Sequence, residues 1–481
     1  MIRGLMSLYS LRYPSALVYM LQNTEYQAAP YLAWYWRTTN FSRVTYRRTL
    51  DPTRPARLLL LALRLGMALQ ILAGLTCIFL WYWYNMQGGW QFGLALLLSY
   101  PIVWAHLVTL PLIAGRWLVI LPRQRALIQK SEKIFRKHTG IKVAIAGSYG
   151  KTSMKELLLT VLGEGKKVAA TPANKNVAIS HAYFARKLTG DEDIVLIEYG
   201  EGAPGDVPRF ARITHPTHAI VTGIAPAHLD HYKTVARAAE DIFAVSRFVD
   251  AGNLYVNGES SLALPYIKKN KSYEQYDQKG ALGWKVTDIS VSLDGTSFTM
   301  AKDKQTMKLH SGLIGRHQVG PLVLAAALAD KFGLTKAQII TGIKATTPFE
   351  HRMKPYQLHG AWIIDDTYNG NIEGVKAGTQ LLAELSANRK IYVTPGLVDQ
   401  GKESHTVHQE MGRLIAAAKP DIVVLMENSA APSIMHGLQE AGYENEIMVE
   451  DDPLGFYTNL NIFVANGDVV LMQNDWTDNY A

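Results

Sequence analysis

KVAIAGSYGKTSMKELLLTVLG, residues 142–163, decides how the rest of the chain is read. Lys142 to Ala146 is a short, β-prone apolar run. Gly147-Ser148-Tyr149-Gly150-Lys151-Thr152-Ser153 follows, and then a stretch with helical pattern, MKELLLTVLGE. Strand, glycine turn and helix in that order form a phosphate loop. The glycines let backbone N–H groups turn inward at a helix N-terminus that already favours anions. In such a loop Lys151 reaches the β- and γ-phosphates of a nucleotide and the Thr152 hydroxyl coordinates Mg²⁺, with Gly147, Ser148, Gly150 and Ser153 around the phosphates. Position 145 is isoleucine, so this is the short GxxGKT form without the first glycine of the longer pattern.

Downstream, the α/β alternation continues. Asp193 to Glu198 reads as a buried parallel strand ending in a carboxylate, where such sheets place ligand groups. Thr217 to Thr222 is another strand, leading into Gly223-Ile-Ala-Pro-Ala-His228-Leu-Asp230-His231. Glu198 and His228, at the ends of neighbouring strands, are candidates to complete the coordination of a phosphate-bridging Mg²⁺. Asp230 and His231 read as surface or supporting groups. Val286 to Leu309 alternates polar and apolar residues around turn signals, the pattern of an antiparallel insertion. A second α/β unit starts near Met353, with a strand running into a polar loop over 361–371, strands at 389–394, 421–426 and 468–472 and helices at 372–386 and 404–418. It lacks Gly-x-Gly-x-x-Gly, so no dinucleotide site is expected there. Ala345 to Arg352 reads as a hinge.

Upstream, the chain changes character. Leu65 to Tyr84 is twenty residues without a charge, and Phe92 to Ala114 is a second uncharged run. Each is long enough to span a hydrocarbon layer of roughly 30 Å. Trp81, Tyr82, Trp83, Tyr84 and Trp90 cluster at the shared end, where amphipathic rings favour the interface. Arg43, Arg47, Arg48, Arg54, Arg57 and Arg64 flank one side; Arg116, Arg123, Arg125, Lys130, Lys133, Arg136 and Lys137 flank the other. The expected arrangement is a two-helix membrane hairpin with both basic flanks and all later domains cytoplasmic. The same distribution argues against nucleic acid as the partner of a chain with formal charge +8. One cysteine, Cys77, excludes an intrachain disulfide and a cysteine-based zinc cluster.

The expected fold class is therefore α/β. It comprises an N-terminal segment (1–56), a transmembrane helical hairpin (57–120), a phosphate-loop central domain with a parallel sheet (121–345) and a C-terminal Rossmann-like domain (346–481).

AGSYGKTS, TPANKNVA, IEYGE, APAHLDH, GRHQ, an arginine at 352 and DDTYNGN occur in an order that resembles the Mur ligases. Within that family the chain is most similar to the branch that adds D-alanyl-D-alanine to the cell-wall precursor. The resemblance runs from about Val143 onward. It implies that ATP converts a substrate carboxylate to an acyl phosphate, which an amine attacks to leave an amide, ADP and phosphate. It also implies roles. Glu198 and His228 join Thr152 as metal ligands, and Arg352 reaches the nucleotide from the hinge. Asp366 contacts the nucleotide from the C-terminal domain, and Gln318 falls near the adenine beside His317. Asn174 and Asn176, with Tyr368, Asn369 and Asn371, fall beside the substrate. The implied partners are ATP and Mg²⁺, a uridine-linked or lipid-linked peptidoglycan precursor, an amino acid or dipeptide, and membrane lipid.

The chain departs from the family at several points. Most members carry a carbamylated lysine that bridges a second metal; Ala239 stands there, and Glu240, one residue on, lies about 100° round a helix. Gln318 replaces an asparagine, and a further expected asparagine is lost in Gly320-Pro321. Gln473-Asn474-Asp475 replaces a Lys-Gly-Ser-like strand end, and the hairpin stands where the family carries its uridine-nucleotide domain. These differences leave two alternatives beside the D-alanyl-D-alanine step: an amino-acid ligase for another carboxylate, and an inactive nucleotide-binding scaffold of cell-wall assembly.

Overall fold

The computed structural model describes residues 6–24, 26–41, 52–173, 175–226, 229–270, 272–368, 370–398 and 400–474. Two compact units, Met1–Ala126 and Leu127–Ala481, make up the chain.

The first unit is helical. A 31-residue helix, Arg54–Tyr84, pairs with Gly89–Leu107, and Thr109–Gly115 continues the second leg. The helices beginning at Arg54 and Gly89 are long and apolar enough to cross a membrane. Their packing depends on glycine: a Cβ on Gly93 would stand 2.7 Å from the Gly74 carbonyl oxygen, so the backbones approach too closely for a larger residue. Polar atoms face inward. Trp104 Nε1 donates to Gln70 Oε1 (2.8 Å), while Gln70 Nε2 donates to the Leu96 carbonyl (3.2 Å) and to Ser99 Oγ (3.3 Å). Leu61, Leu65, Leu69, Leu72 and Phe79 are exposed, outside the helix pair. Two shorter helices, Tyr13–Asn23 and Ala28–Arg37, pack on the hairpin through Tyr13, Leu17 and Tyr31. The Tyr13 and Tyr31 hydroxyls donate to the carbonyls of Pro101 (3.0 Å) and Ala105 (3.1 Å).

The second unit holds two sheets. In the first, β1 (Ile141–Ala146), β2 (Val168–Ala170), β3 (Ile194–Glu198), β4 (His218–Val221), β5 (Leu254–Asn257) and β6 (Glu274–Asp277) run parallel. Then β7 (Gly280–Ala281), β8 (Trp284–Ser292), β9 (Gly295–Lys302) and β10 (Gln305–Ser311) extend it antiparallel, in the order β10-β9-β8-β7-β6-β5-β4-β1-β3-β2. The segment expected as an insertion is thus the continuation of the main sheet. β1 and β3 are buried almost throughout, as parallel strands covered on both faces must be. Helices Lys151–Gly163 and Val319–Lys331 cover one face, and Asp206–Thr214 and Val235–Phe243 the other.

The second sheet has the order β11-β12-β16-β13-β14-β15, from β11 (Lys354–Leu358), β12 (Ala361–Asp366), β13 (Lys390–Thr394), β14 (Ile422–Met426), β15 (Glu446–Glu450) and β16 (Val469–Gln473). Only β11 is antiparallel. The last strand enters between β12 and β13, which brings Gln473 against Asp366.

Candidate active site

β1 pairs with β3 on one side and β4 on the other, with Ile145 opposite Glu198 and Ala146 opposite Val221. This register sets the carboxyl ends of three strands around the turn that follows β1. Gly147 has φ +144°, and a Cβ there would lie 2.3 Å from Thr222 Oγ1; Gly150 has φ +75° and starts the helix. The turn is fastened to β4: Ser148 N donates to the Gly223 carbonyl (2.8 Å), and Thr222 Oγ1 donates to the Tyr149 carbonyl. Ser148 Oγ is buried without a hydrogen-bond partner, a hydroxyl the loop leaves available to a phosphate oxygen.

The expected site residues separate into two groups about this loop. In the first, Thr152 Oγ1 donates to Glu198 Oε1 (3.1 Å) and Asn176 Nδ2 donates to the same oxygen (3.3 Å). Lys151 Nζ folds back on the Gly147 carbonyl (2.6 Å) and pairs with Glu201 (2.7 Å). Hydroxyl and carboxylate oxygens are the hard donors that Mg²⁺ prefers, so Thr152 and Glu198 fit that ion. His228, Asn174 and Asn369 lie outside the described residues. Ala239, at the position of the family lysine, is buried in the apolar core below the sheet.

The second group lines a cavity of about 420 Å³ between the two sheets. Gly150 and Ser153 form its floor, Gln318 and His317 one wall, and Arg352, Asp366, Tyr368 and Asn371 the other. Arg352 lies 4.6 Å over the Tyr368 ring and donates to Ser153 Oγ at 3.5 Å, joining the hinge to the phosphate-loop helix. His351 and Met353 on either side of it have φ +59° and +47°, so the arginine sits at a strained turn. Asn371 caps the helix Ile372–Glu384 by accepting from Gly374 N (3.0 Å). Tyr368 and Asn371, expected beside the substrate, therefore share a cavity with the residues expected at the nucleotide.

Burial pushes the Asp366 carboxyl up to about 7, against the opposing pull of the Gln473 amide (2.7 Å), the Met353 N–H (3.2 Å) and Arg352. Burial likewise raises Glu259 to about 6 and lowers His317 to about 4. Glu259 lines the cavity with Tyr149, Asn257 and Gln278, none of which sequence reasoning singled out. Glu201 and Lys155 were also missed. Glu201 stands in the quoted IEYGE segment, three residues past Glu198.

Residues 145–329 match the family described as the Mur ligase middle domain, and residues 351–473 match Mur ligase, glutamate ligase domain. The chain belongs to the Mur ligase family, whose members are ATP-dependent ligases. It is 28% identical to the UDP-N-acetylmuramoyl-tripeptide–D-alanyl-D-alanine ligase of Escherichia coli strain K12, over 68% of this chain and 72% of that protein. The protein of the same name from Mycobacterium leprae is 27% identical over 69% and 70%. Among solved structures, MurF from Acinetobacter baumannii superposes with a TM-score of 0.64 at 20% identity, covering 73% of this chain and 77% of that one. MurF ligase from Thermotoga maritima in complex with ADP gives 0.62 at 21% identity, covering 73% and 80%. These likenesses carry the fold of the two sheet domains.

Proposed function

We propose that the protein is an ATP-dependent amide-bond-forming ligase that adds D-alanyl-D-alanine, or a similar amine, to a peptidoglycan precursor at the cytoplasmic face of a membrane. The observation that carries the reading is the Thr152–Glu198–Asn176 contact beside a phosphate loop, with Arg352 bridging to a second domain across a cavity. The named ligases that the chain resembles support the substrate.

Transfer of a phosphoryl group to a carboxylate needs position and charge neutralisation more than covalent help. In this reading Lys151 and the loop N–H groups hold the phosphates, and Ser148 Oγ donates to one of them. Arg352 and Asp366 close on the nucleotide from the second sheet, and the 171–176 segment presents the carboxylate to the γ-phosphate. Mg²⁺ on Thr152, Glu198 and His228 would supply charge neutralisation at the phosphates.

The membrane part of the proposal rests on the first unit. Its exposed leucines, inward-facing Gln70 and close Gly74–Gly93 contact suit lipid on the outside. A tethered ligase would meet a lipid-linked acceptor in the plane of the membrane.

The test uses the full chain in lipid vesicles with ATP, Mg²⁺ and D-alanyl-D-alanine, offering either uridine-linked or lipid-linked muramyl peptide. Formation of the extended peptide with one acceptor, dependent on ATP and lost in Lys151→Ala, is the expected result. Nucleotide binding without product on either acceptor would favour the scaffold, the reading to which the buried Ala239 gives weight.

A further inference from the structure

Lys155 lies on the phosphate-loop helix, one turn beyond Thr152, and is fully buried. A buried ammonium is costly, and it persists only with acceptors for its three protons. Here Nζ donates to the Ala173 carbonyl and to Glu198 Oε2 (3.1 Å), with Glu156 Oε1 at 3.4 Å. Apolar residues at both positions of a buried ion pair are often no less stable than the pair, so stability alone does not account for Lys155 and Glu198 together.

Its two principal partners come from two different segments beside the phosphate loop. Glu198 gives Oε2 to Lys155 and turns Oε1 to Thr152 and Asn176, so the lysine fixes the orientation of the carboxylate, with one oxygen toward the phosphate loop. Ala173 lies three residues before Asn176 in the chain, and it holds φ +44°, a left-handed conformation that a non-glycine residue adopts only under constraint.

We propose that Lys155 is a positioning residue: a buried clamp that joins the 171–176 segment to Glu198 and fixes the carboxylate's orientation toward Thr152. The inference rests on the ligase reading above. With the clamp removed, Glu198 rotates and the segment loosens together.

The test compares the wild-type full chain with Lys155→Met and Lys155→Arg. Three quantities are measured: hydrogen exchange over 171–176 without Mg²⁺, the Mg²⁺ concentration for half-maximal turnover, and kcat. For Lys155→Met the clamp predicts faster exchange confined to that segment and about a tenfold higher Mg²⁺ requirement, the scale for partners that orient metal ligands. It also predicts kcat lower by about 100-fold, as for a misplacement near 1 Å. Lys155→Arg, which keeps the charge, recovers part of the Mg²⁺ dependence. Wild-type exchange and Mg²⁺ dependence in a folded Lys155→Met would overturn the clamp. So would losses that track melting temperature across both variants. If methionine prevents folding, Lys155→Gln, which loses the charge but stays polar, takes its place: unchanged Mg²⁺ dependence and exchange in that variant would also overturn it. A wild type that forms no product would instead defeat the ligase reading, leaving the exchange result to judge the clamp.

Discussion

In residues Leu127–Ala481 most large apolar side chains are inside: β1, β3, β4 and β14 are buried almost throughout, and buried charges such as Lys155 and Glu198 are paired. In Met1–Ala126 the arrangement is reversed along the hairpin. Leu65, Leu69, Leu72 and Phe79 are more than half exposed, while Gln70 bonds inward to the facing helix. One chain thus uses two packing rules. The difference teaches that exposure alone does not mark a misfit; what matters is which solvent meets the exposed face. In the proposed membrane arrangement, water meets the second unit and lipid meets the hairpin.

The largest expected effect lies at the phosphate loop. Lys151→Ala removes the cation that sits on the Gly147 carbonyl and Glu201, and turnover should fall by about 10³-fold or more. Thermal melting of the variant should stay close to wild type, which separates lost chemistry from lost fold.

The next sharpens the comparison directly. Leu69 and Leu454 are similarly exposed, at 65% and 71%, in the first and second units. Leu69→Lys should cost about 2.5–3.5 kcal/mol of membrane insertion, seen as loss from the carbonate-washed membrane fraction. Leu454→Lys should change stability by only about 0.5 kcal/mol or less. Equal tolerance of both substitutions would break the contrast.

Asp366 provides a pH test of the second unit. Its folded pKa, about 7, lies above the ordinary value of 3.8, so the native state holds the proton more tightly than the unfolded chain does. Wild type therefore loses stability as pH rises from about 4 to about 7. Asp366→Asn, neutral throughout, escapes that loss. Its unfolding free energy should gain on wild type across that window and hold the gain above it, by on the order of 2 kcal/mol once weakened bonds to Gln473 and Met353 are counted, as denaturant titration at each pH would show. A difference independent of pH would show that Asp366 is ionised throughout.

The smallest effect expected is at Glu201. Because it holds Lys151 at 2.7 Å, Glu201→Gln should free the lysine and tighten ATP by on the order of 1 kcal/mol in direct titration. Weaker binding would instead make Glu201 a contributor to nucleotide binding.

Much of this was legible because local signals and packing agree. Strand, glycine turn and helix at 141–163 need only short-range geometry, and the uncharged runs need only length. Other features depend on distant partners. β11 contains Pro355 and neither β11 nor β15 has a buried residue, so neither alternates as a half-buried strand does. The entry of β16 between β12 and β13 is a matter of topology, invisible in local pattern. Lys155 had a faint signal: it shares a helix face with the buried Leu158 and Leu162, where a lysine is out of place. Its acceptors, Ala173 and Glu198, come from elsewhere in the chain.

The central claim is that ATP is spent on activating a carboxylate. An acceptor peptide labelled with ¹⁸O in its free carboxylate, turned over by the full chain with D-alanyl-D-alanine, tests it most directly. Each phosphate released should carry one ¹⁸O from the acceptor, and amide product should match phosphate in amount. Unlabelled phosphate, released without amide, would contradict it.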